Sequence, residues 1–247
     1  MTQHVVAHIP GDRAASVAIA VWVKTPGFTP AKTRLAQSLG TKAAEAFYRL
    51  AVDAVREVVT DACQLAPGLL APYWAVAERD VAAHACWPDC QVVTQGEGGL
   101  GERLAHVYDL LAPNHEAVLF IGADSPQLSP EVVVHAAQLL VASPNAPEFV
   151  LGPAMDGGFY LFGGREPLPV QAWTSVTYSA STTMAELVVA LERVGKVQFL
   201  ASAFDVDTID DLRLLRHELA VTPRRGAARR ALQDWLESTM TGYSRRS

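Results

Sequence analysis

The sequence predicts a doubly wound α/β domain built on a mainly parallel sheet. Two observations lead there. Short apolar runs rich in β-branched residues alternate with segments of helical periodicity along nearly the whole chain. Unusual polar residues also fall directly behind the runs that read as strands, and that is where open parallel sheets bind their ligands.

The elements follow in order. Val17 to Val23 (VAIAVWV) is continuously apolar, as a parallel strand covered on both faces must be. Thr41 to Ala62 carries Ala44, Phe47, Tyr48, Ala51, Val52 and Val55 at helical spacing. Leu69 to Val76 reads as a second strand, Glu78 to Cys86 as a short helix, Gln91 to Thr94 as a third strand and Gly101 to Leu111 as a helix. Ala117 to Ile121 (AVLFI) is a buried strand. Ser129 caps a helix running to Val141, with Pro130 at its first position. Strands at Phe149 to Leu151 and Phe159 to Phe162 come next, with the aromatic one and its neighbours predicted to form a small mixed or antiparallel edge. A helix from about Ser181 to Val194, a strand at Val197 to Leu200 and a helix capped by Asp207 or Thr208 and reaching Leu219 complete the series. No repeat or low-complexity linker divides the chain. Residues 16–222 therefore read as one nucleotide-binding domain, with a loose extension over 1–15 and a basic C-terminal helix and tail over 223–247.

Of the 247 residues, half are hydrophobic and 19% charged, enough to build a full core. A net charge of −6 argues against nucleic acid or an anionic membrane as partner. Arg224, Arg225, Arg229, Arg230, Arg245 and Arg246 crowd the last stretch and read as a solvated helix and tail. Cys63, Cys86 and Cys90 fit neither a disulfide framework nor a zinc site, and read as small buried residues. No apolar run is long enough to span a bilayer, and MTQHVVAHIPGDRAAS lacks the pattern of a signal peptide, so the cytoplasm is the expected compartment.

Five segments carry chemistry. KTPGFTPAKTRL, behind the first strand, sets Lys24, Lys32 and Arg34 in one loop, a concentration of charge suited to a polyphosphate or else an ordinary basic βα loop. Ala31 stands where a Walker A loop needs its second glycine, which rules that motif out. QGEGGLGERL, from Gln95, permits close backbone approach ahead of a helix N-terminus. In IGADSPQLSP, Asp124 projects past a buried strand, either as a Mg²⁺ ligand or as a turn residue. GPAMDGGFYLFG places Asp156 beside Gly157 and Gly158, with a β-turn as the alternative. FDVDTIDDL puts Asp205 and Asp207 behind the late strand, where Asp210 and Asp211 also suit a helix start.

In this order the five segments resemble the DUF2064 group of bacterial glycosyltransferase-A-type transferases. That group is similar to 2-phospho-lactate guanylyltransferases and, more remotely, to molybdenum cofactor nucleotidyltransferases. The resemblance covers roughly Val17 to Leu215. It implies a glycosyltransferase-A fold, the Rossmann-like fold of nucleotide-diphospho-sugar transferases. Carried over residue by residue, it places Lys24, Thr33, Gln95, Gly99, Gly101 and Arg103 in nucleotide binding and makes Lys32, Arg34 and Asp156 catalytic. It gives Asp124 and Asp207 to Mg²⁺ or Mn²⁺, and Gly157 and Gly158 to the acceptor side of the cleft. Tyr160, Trp173 and Tyr178 are further candidates for lining that cleft, with aromatic core packing the alternative for at least one of Trp173 and Tyr178. Thr29 and Gly99 depart from the family, which often has a glycine and an acidic residue there.

The expected reaction is metal-dependent nucleotidyl transfer from a nucleoside triphosphate to a small, phosphorylated acceptor, with release of pyrophosphate. Two alternatives stand beside it: glycosyl transfer from a nucleotide sugar, and a non-catalytic nucleotide-binding module. Clustered carboxylates argue against the last, since they repel one another unless a cation holds them.

Overall fold

A computed structural model describes residues 16–88, 91–221 and 226–244. The N-terminal extension, Cys90, Arg224, Arg225, Arg245 and Arg246 lie outside the described residues. The strands are β1 (Val17–Val23), β2 (Leu70–Val76), β3 (Gln91–Thr94), β4 (Ala117–Gly122), β5 (Phe149–Pro153), β6 (Phe159–Gly164) and β7 (Val197–Phe199). The helices are α1 (Thr33–Leu39), α2 (Thr41–Leu65), α3 (Val81–His84), α4 (Leu100–Leu111), α5 (Pro130–Val141), α6 (Val170–Thr174), α7 (Thr183–Leu191), α8 (Ile209–Val221) and α9 (Ala227–Ser244).

The strands form one sheet in the order β3-β2-β1-β4-β6-β5-β7. β1 lies parallel to both β2 and β4, and β2 to β3. β6 runs antiparallel between β4 and β5, while β7 returns parallel to β5. This is the predicted mainly parallel sheet with a mixed edge. Its directions bring the loops after β1, β2, β3, β4, β5 and β7 to one rim, where ligands of such sheets bind.

β1 shows why the sheet is central. Val17, Ile19, Val21 and Val23 enter one apolar cluster with α2 and α5. Ala18 and Ala20 enter another with α4, α6 and α7. Successive side chains alternate between faces, so a strand covered twice must be apolar throughout. Ser129 accepts the Val132 N–H as N-cap of α5, as its sequence predicts. α3 is shorter than expected because Asp80 caps it by accepting the Ala82 N–H, which starts the helix at Val81. Cys86, expected to be buried, is exposed behind that single turn, and Cys63 is partly buried.

A third cluster joins α1, α2, α8 and α9. On α9, Leu232, Leu236 and Met240 recur at helical spacing and are buried, and Trp235 packs against Phe47 of α2 at 5.8 Å between ring centres. The Ala228 N–H donates to Glu57 of α2 at 2.8 Å. Arg229 is only 3% exposed, so a purely solvated reading of the basic C-terminal stretch fails at this residue, whereas Arg230 is exposed.

Candidate active site

The loop behind β1 is fixed at its root. The Lys24 N–H donates to the Tyr48 hydroxyl at 2.8 Å, and that hydroxyl donates back to the Lys24 carbonyl at 3.1 Å. The Thr25 N–H donates to Glu78 at 2.9 Å, and Trp87 Nε1 donates to the Thr25 hydroxyl at 3.1 Å. Burial pushes the Tyr48 hydroxyl pKa far up, so it stays protonated and able to donate. The Lys24 ammonium is exposed and reaches the Pro30 carbonyl at 3.3 Å. Beside the loop lies a cavity of about 580 Å³, with Phe28, Pro30, Thr33, Gln37 and Tyr48 among its lining.

The loop ends at Lys32, a non-glycine residue held at φ 54 and ψ 43. Such left-handed backbone costs on the order of 1 kcal/mol and persists only where surroundings enforce it. Here two carboxylates do so: Lys32 Nζ lies 2.7 Å from Asp124 Oδ1 and 3.0 Å from Asp207 Oδ1. The Lys32 side chain is 3% exposed, whereas those of Asp124 and Asp207 are 49% and 44% exposed. Burial alone would depress the lysine pKa, but the two carboxylates together outweigh it and hold it above the ordinary value. Arg34, largely exposed, stands 3.9 Å from the other oxygen of Asp207.

Asp124 and Asp207 come from different loops that are stitched together. The Val206 N–H donates to the Asp124 carbonyl at 3.1 Å. The Ser125 hydroxyl donates to Asp205 at 2.6 Å, and the Gln127 amide donates to the Phe204 carbonyl at 2.5 Å. Asp207 is set by the helix start behind it, where Asp211 accepts the N–H groups of Asp207 and Thr208 and the Thr208 hydroxyl. Burial first, with the charge of Asp124 beside it, pushes the Asp205 carboxyl up to about 6 against the pull of Ser125 and Lys32.

Asp156 occupies the turn between β5 and β6, exposed at the same rim, and accepts the Gly158 N–H at 2.8 Å. Gly157 adopts φ +92, and a Cβ there would lie 2.2 Å from the Ser181 carbonyl oxygen, so the turn admits no side chain.

Other expected site residues are drawn into the scaffold. The Gln95 amide donates to the carbonyls of Ala75 and Val23 at 2.9 and 3.3 Å, tying β2 to β1. Gly99 precedes α4, and Arg103 Nε bonds the Gly98 carbonyl at 3.0 Å. Gly101 is buried, and a Cβ there would meet the Trp173 carbonyl oxygen at 2.7 Å, so this glycine permits α4 to pack on α6. Trp173 is 0% exposed and packs on Phe162 and Tyr108. Tyr160, 5% exposed, donates to the Ala201 carbonyl at 3.0 Å. Tyr178 donates to the Trp173 carbonyl at 3.0 Å. These aromatics are spent on the core beneath the rim.

Asp205, Ser125, Gln127 and Tyr48 are parts of the site to which the sequence pattern assigns no role. Asp205 had a signal in the D-x-D spacing, which puts it and Asp207 on one side of an extended segment. Among the described residues no three His, Cys, Asp or Glu side chains gather as a metal set. The residues able to hold a divalent ion are Asp124 and Asp207, which already converge on one cation.

Sheet order, mixed edge and a charged rim define a nucleotide-diphospho-sugar transferase fold of the glycosyltransferase-A type. The family resemblance is borne out as well: residues 72–180 match the model of DUF2064, a family described as an uncharacterized protein conserved in bacteria. That stretch contains Asp124 and Asp156 but neither Lys32 nor Asp207. A candidate nucleotide-diphospho-sugar transferase from Desulfovibrio desulfuricans G20 matches with a TM-score of 0.80 at 23% identity, over 93% of this chain and 98% of that one. A cytidylyltransferase from Leptospira borgpetersenii matches with a TM-score of 0.51 at 12% identity, over 93% and 96%. The 4-diphosphocytidyl-2C-methyl-D-erythritol synthase of Anaerococcus prevotii does so with a TM-score of 0.51 at 12% identity, over 84% and 99%. At these identities the likeness shows the fold. No curated protein matches the chain.

Proposed function

We propose that the chain is a nucleotidyltransferase that moves a nucleoside monophosphate from a nucleoside triphosphate to a small, phosphorylated acceptor and releases pyrophosphate. The observation that carries this reading is the gathering of Asp124 and Asp207 around one ammonium at the ligand-binding rim. Two half-exposed carboxylates fit Mg²⁺ or Mn²⁺, which take a few hard oxygen ligands and complete their shell with water and phosphate. Asp124 and Asp207 would hold the ion, and Lys32 would yield the pair to it. Bound there, the ion would supply positive charge to the phosphate oxygens.

Lys32, released from the carboxylates, has the β- and γ-phosphates as its next partners, with Lys24 on the same loop and Arg34 in the first turn of α1. Fixed cations at that position stabilise the charge that grows on the leaving pyrophosphate. An acceptor phosphate needs no base, since its own anionic oxygen attacks the α-phosphorus while the α–β bridge breaks. Thr33 and the cavity beside it offer room for the rest of the nucleotide. No helix of the described residues is long and apolar enough to cross a membrane.

The second reading is glycosyl transfer from a nucleotide sugar, favoured by the exposed Asp156 at the same rim. That carboxylate would take the proton of an acceptor hydroxyl, a step the first reading does not require.

Asp124→Asn tests the common basis of both readings. Mn²⁺-dependent nucleotide binding should be lost, whereas the melting temperature should fall only in part, because Asp207 still pairs with the buried Lys32 ammonium when Asp124 no longer does. Retained binding together with lost stability would make Asp124 a turn residue and end the metal assignment.

A further inference from the structure

Asp124 and Asp207 stand on separate loops, and what holds the first loop from behind lies far along the chain. Within residues 124–128 the Leu128 N–H bonds the Ser125 carbonyl at 3.1 Å. The carbonyls of Pro126 and Leu128 are met by the guanidinium of Arg229 on α9, whose Nη2 lies 2.7 Å from Leu128 O and 3.5 Å from Pro126 O. Glu218 of α8 faces the same arginine: burial raises its carboxyl pKa and the Arg229 charge pulls it back. A guanidinium this deeply buried is costly to desolvate and persists only with partners. Docking α9 needs no such group, since Leu232, Leu236 and Met240 already bury its apolar stripe.

We propose that Arg229 is a positioning residue for the Asp124–Asp207 pair, which makes the C-terminal helix part of the site. The guanidinium sets the Pro126–Leu128 carbonyls, and Ser125 and Gln127 on that loop grip Phe204 and Asp205. The Val206 N–H closes on the Asp124 carbonyl, so Asp207 follows. The effect on nucleotide binding rests on the function proposed above. The geometry can be read without any nucleotide.

Hydrogen exchange on the full chain tests this, comparing the wild type with Arg229→Lys, Arg229→Met and the exposed-site control Arg230→Met. Exchange at the Leu128 and Val206 amides should accelerate at least tenfold in Arg229→Met and less in Arg229→Lys, because lysine can still donate to one carbonyl. Amides of β1 and α2 should keep their protection, and Arg230→Met should behave as the wild type. If Arg229→Met fails to fold, the lysine variant decides alone. Unchanged exchange at Leu128 and Val206 in Arg229→Lys overturns the proposal. So does acceleration no greater there than throughout α8 and α9, which is the signature of an arginine that only docks the helix. Where the wild type binds a metal–nucleotide complex, Arg229→Lys should weaken it several-fold. A wild type that binds no nucleotide refutes the proposed function and leaves the exchange result to judge Arg229.

Discussion

Replacing Asp205 by asparagine should raise the melting temperature at neutral and alkaline pH and change it little near pH 4. The Asp205 carboxyl is partly buried and bonded to Ser125, and burial first, with the charge of Asp124, pushes it up to about 6. In an unfolded chain an aspartate titrates near about 3.9. The folded protein therefore holds this proton more tightly than the unfolded chain does. The stability it contributes is fully present below about pH 4 and is lost as the pH rises through about 6. A gap of about two pKa units is worth about 3 kcal/mol, since each unit is about 1.4 kcal/mol. For a chain of this length that amounts to about 6–12 °C in melting temperature. Asparagine keeps an oxygen to accept the Ser125 hydroxyl and has no charge to bury. Thermal melts of both proteins in EDTA, between about pH 4.5 and pH 8, should therefore diverge as the pH rises, with the variant the more stable. Parallel curves across that window would mean that Asp205 carries no raised pKa in the folded protein.

Two further substitutions probe separate parts of the account. Gly101→Ala should cost about 1–3 kcal/mol in denaturant unfolding, because overpacking has no cheap relief against backbone; the new methyl would meet the Trp173 carbonyl oxygen at 2.7 Å. Gly99→Ala, which meets only the end of the Glu102 side chain at 3.0 Å, should stay within about 0.5 kcal/mol, and equal effects would contradict the packing role of Gly101. Lys32→Met should weaken triphosphate binding by about 10- to 100-fold in calorimetry, the loss of one charge-assisted contact worth about 1.5–3 kcal/mol. An unchanged dissociation constant would remove Lys32 from the phosphate site.

Much of the fold was legible because burial leaves a simple mark. β1 spans the residues its apolar run predicts, Val17–Val23, since both faces of that strand are covered. α1 and α6 escaped notice because seven and five residues are too few to show a periodicity. Within the site, the placement of Lys32, Asp124 and Asp207 was legible from their position behind β1, β4 and β7. What a residue near the rim does with its side chain was not. Gln95 and Asp124 both follow strands, yet Gln95 turns its amide onto neighbouring carbonyls while Asp124 remains half exposed. Asp205 and Asp207 are two residues apart and both partly buried, yet one bonds Ser125 and the other pairs with Lys32. These outcomes depend on contacts between residues 20 to 175 positions apart in sequence, and no local pattern encodes them.

Nucleotidyl transfer requires the site to take a triphosphate and a divalent ion together. Thermal shift with Mg²⁺ or Mn²⁺ measures this directly, using the four nucleoside triphosphates, their diphosphates and a set of nucleotide sugars. A ligand at about 100 times its dissociation constant adds about 2.7 kcal/mol, or about 5–10 °C here. One triphosphate should outperform its own diphosphate and every nucleotide sugar, and EDTA should abolish the shift. A nucleotide sugar that stabilises the protein while no triphosphate does would contradict nucleotidyl transfer.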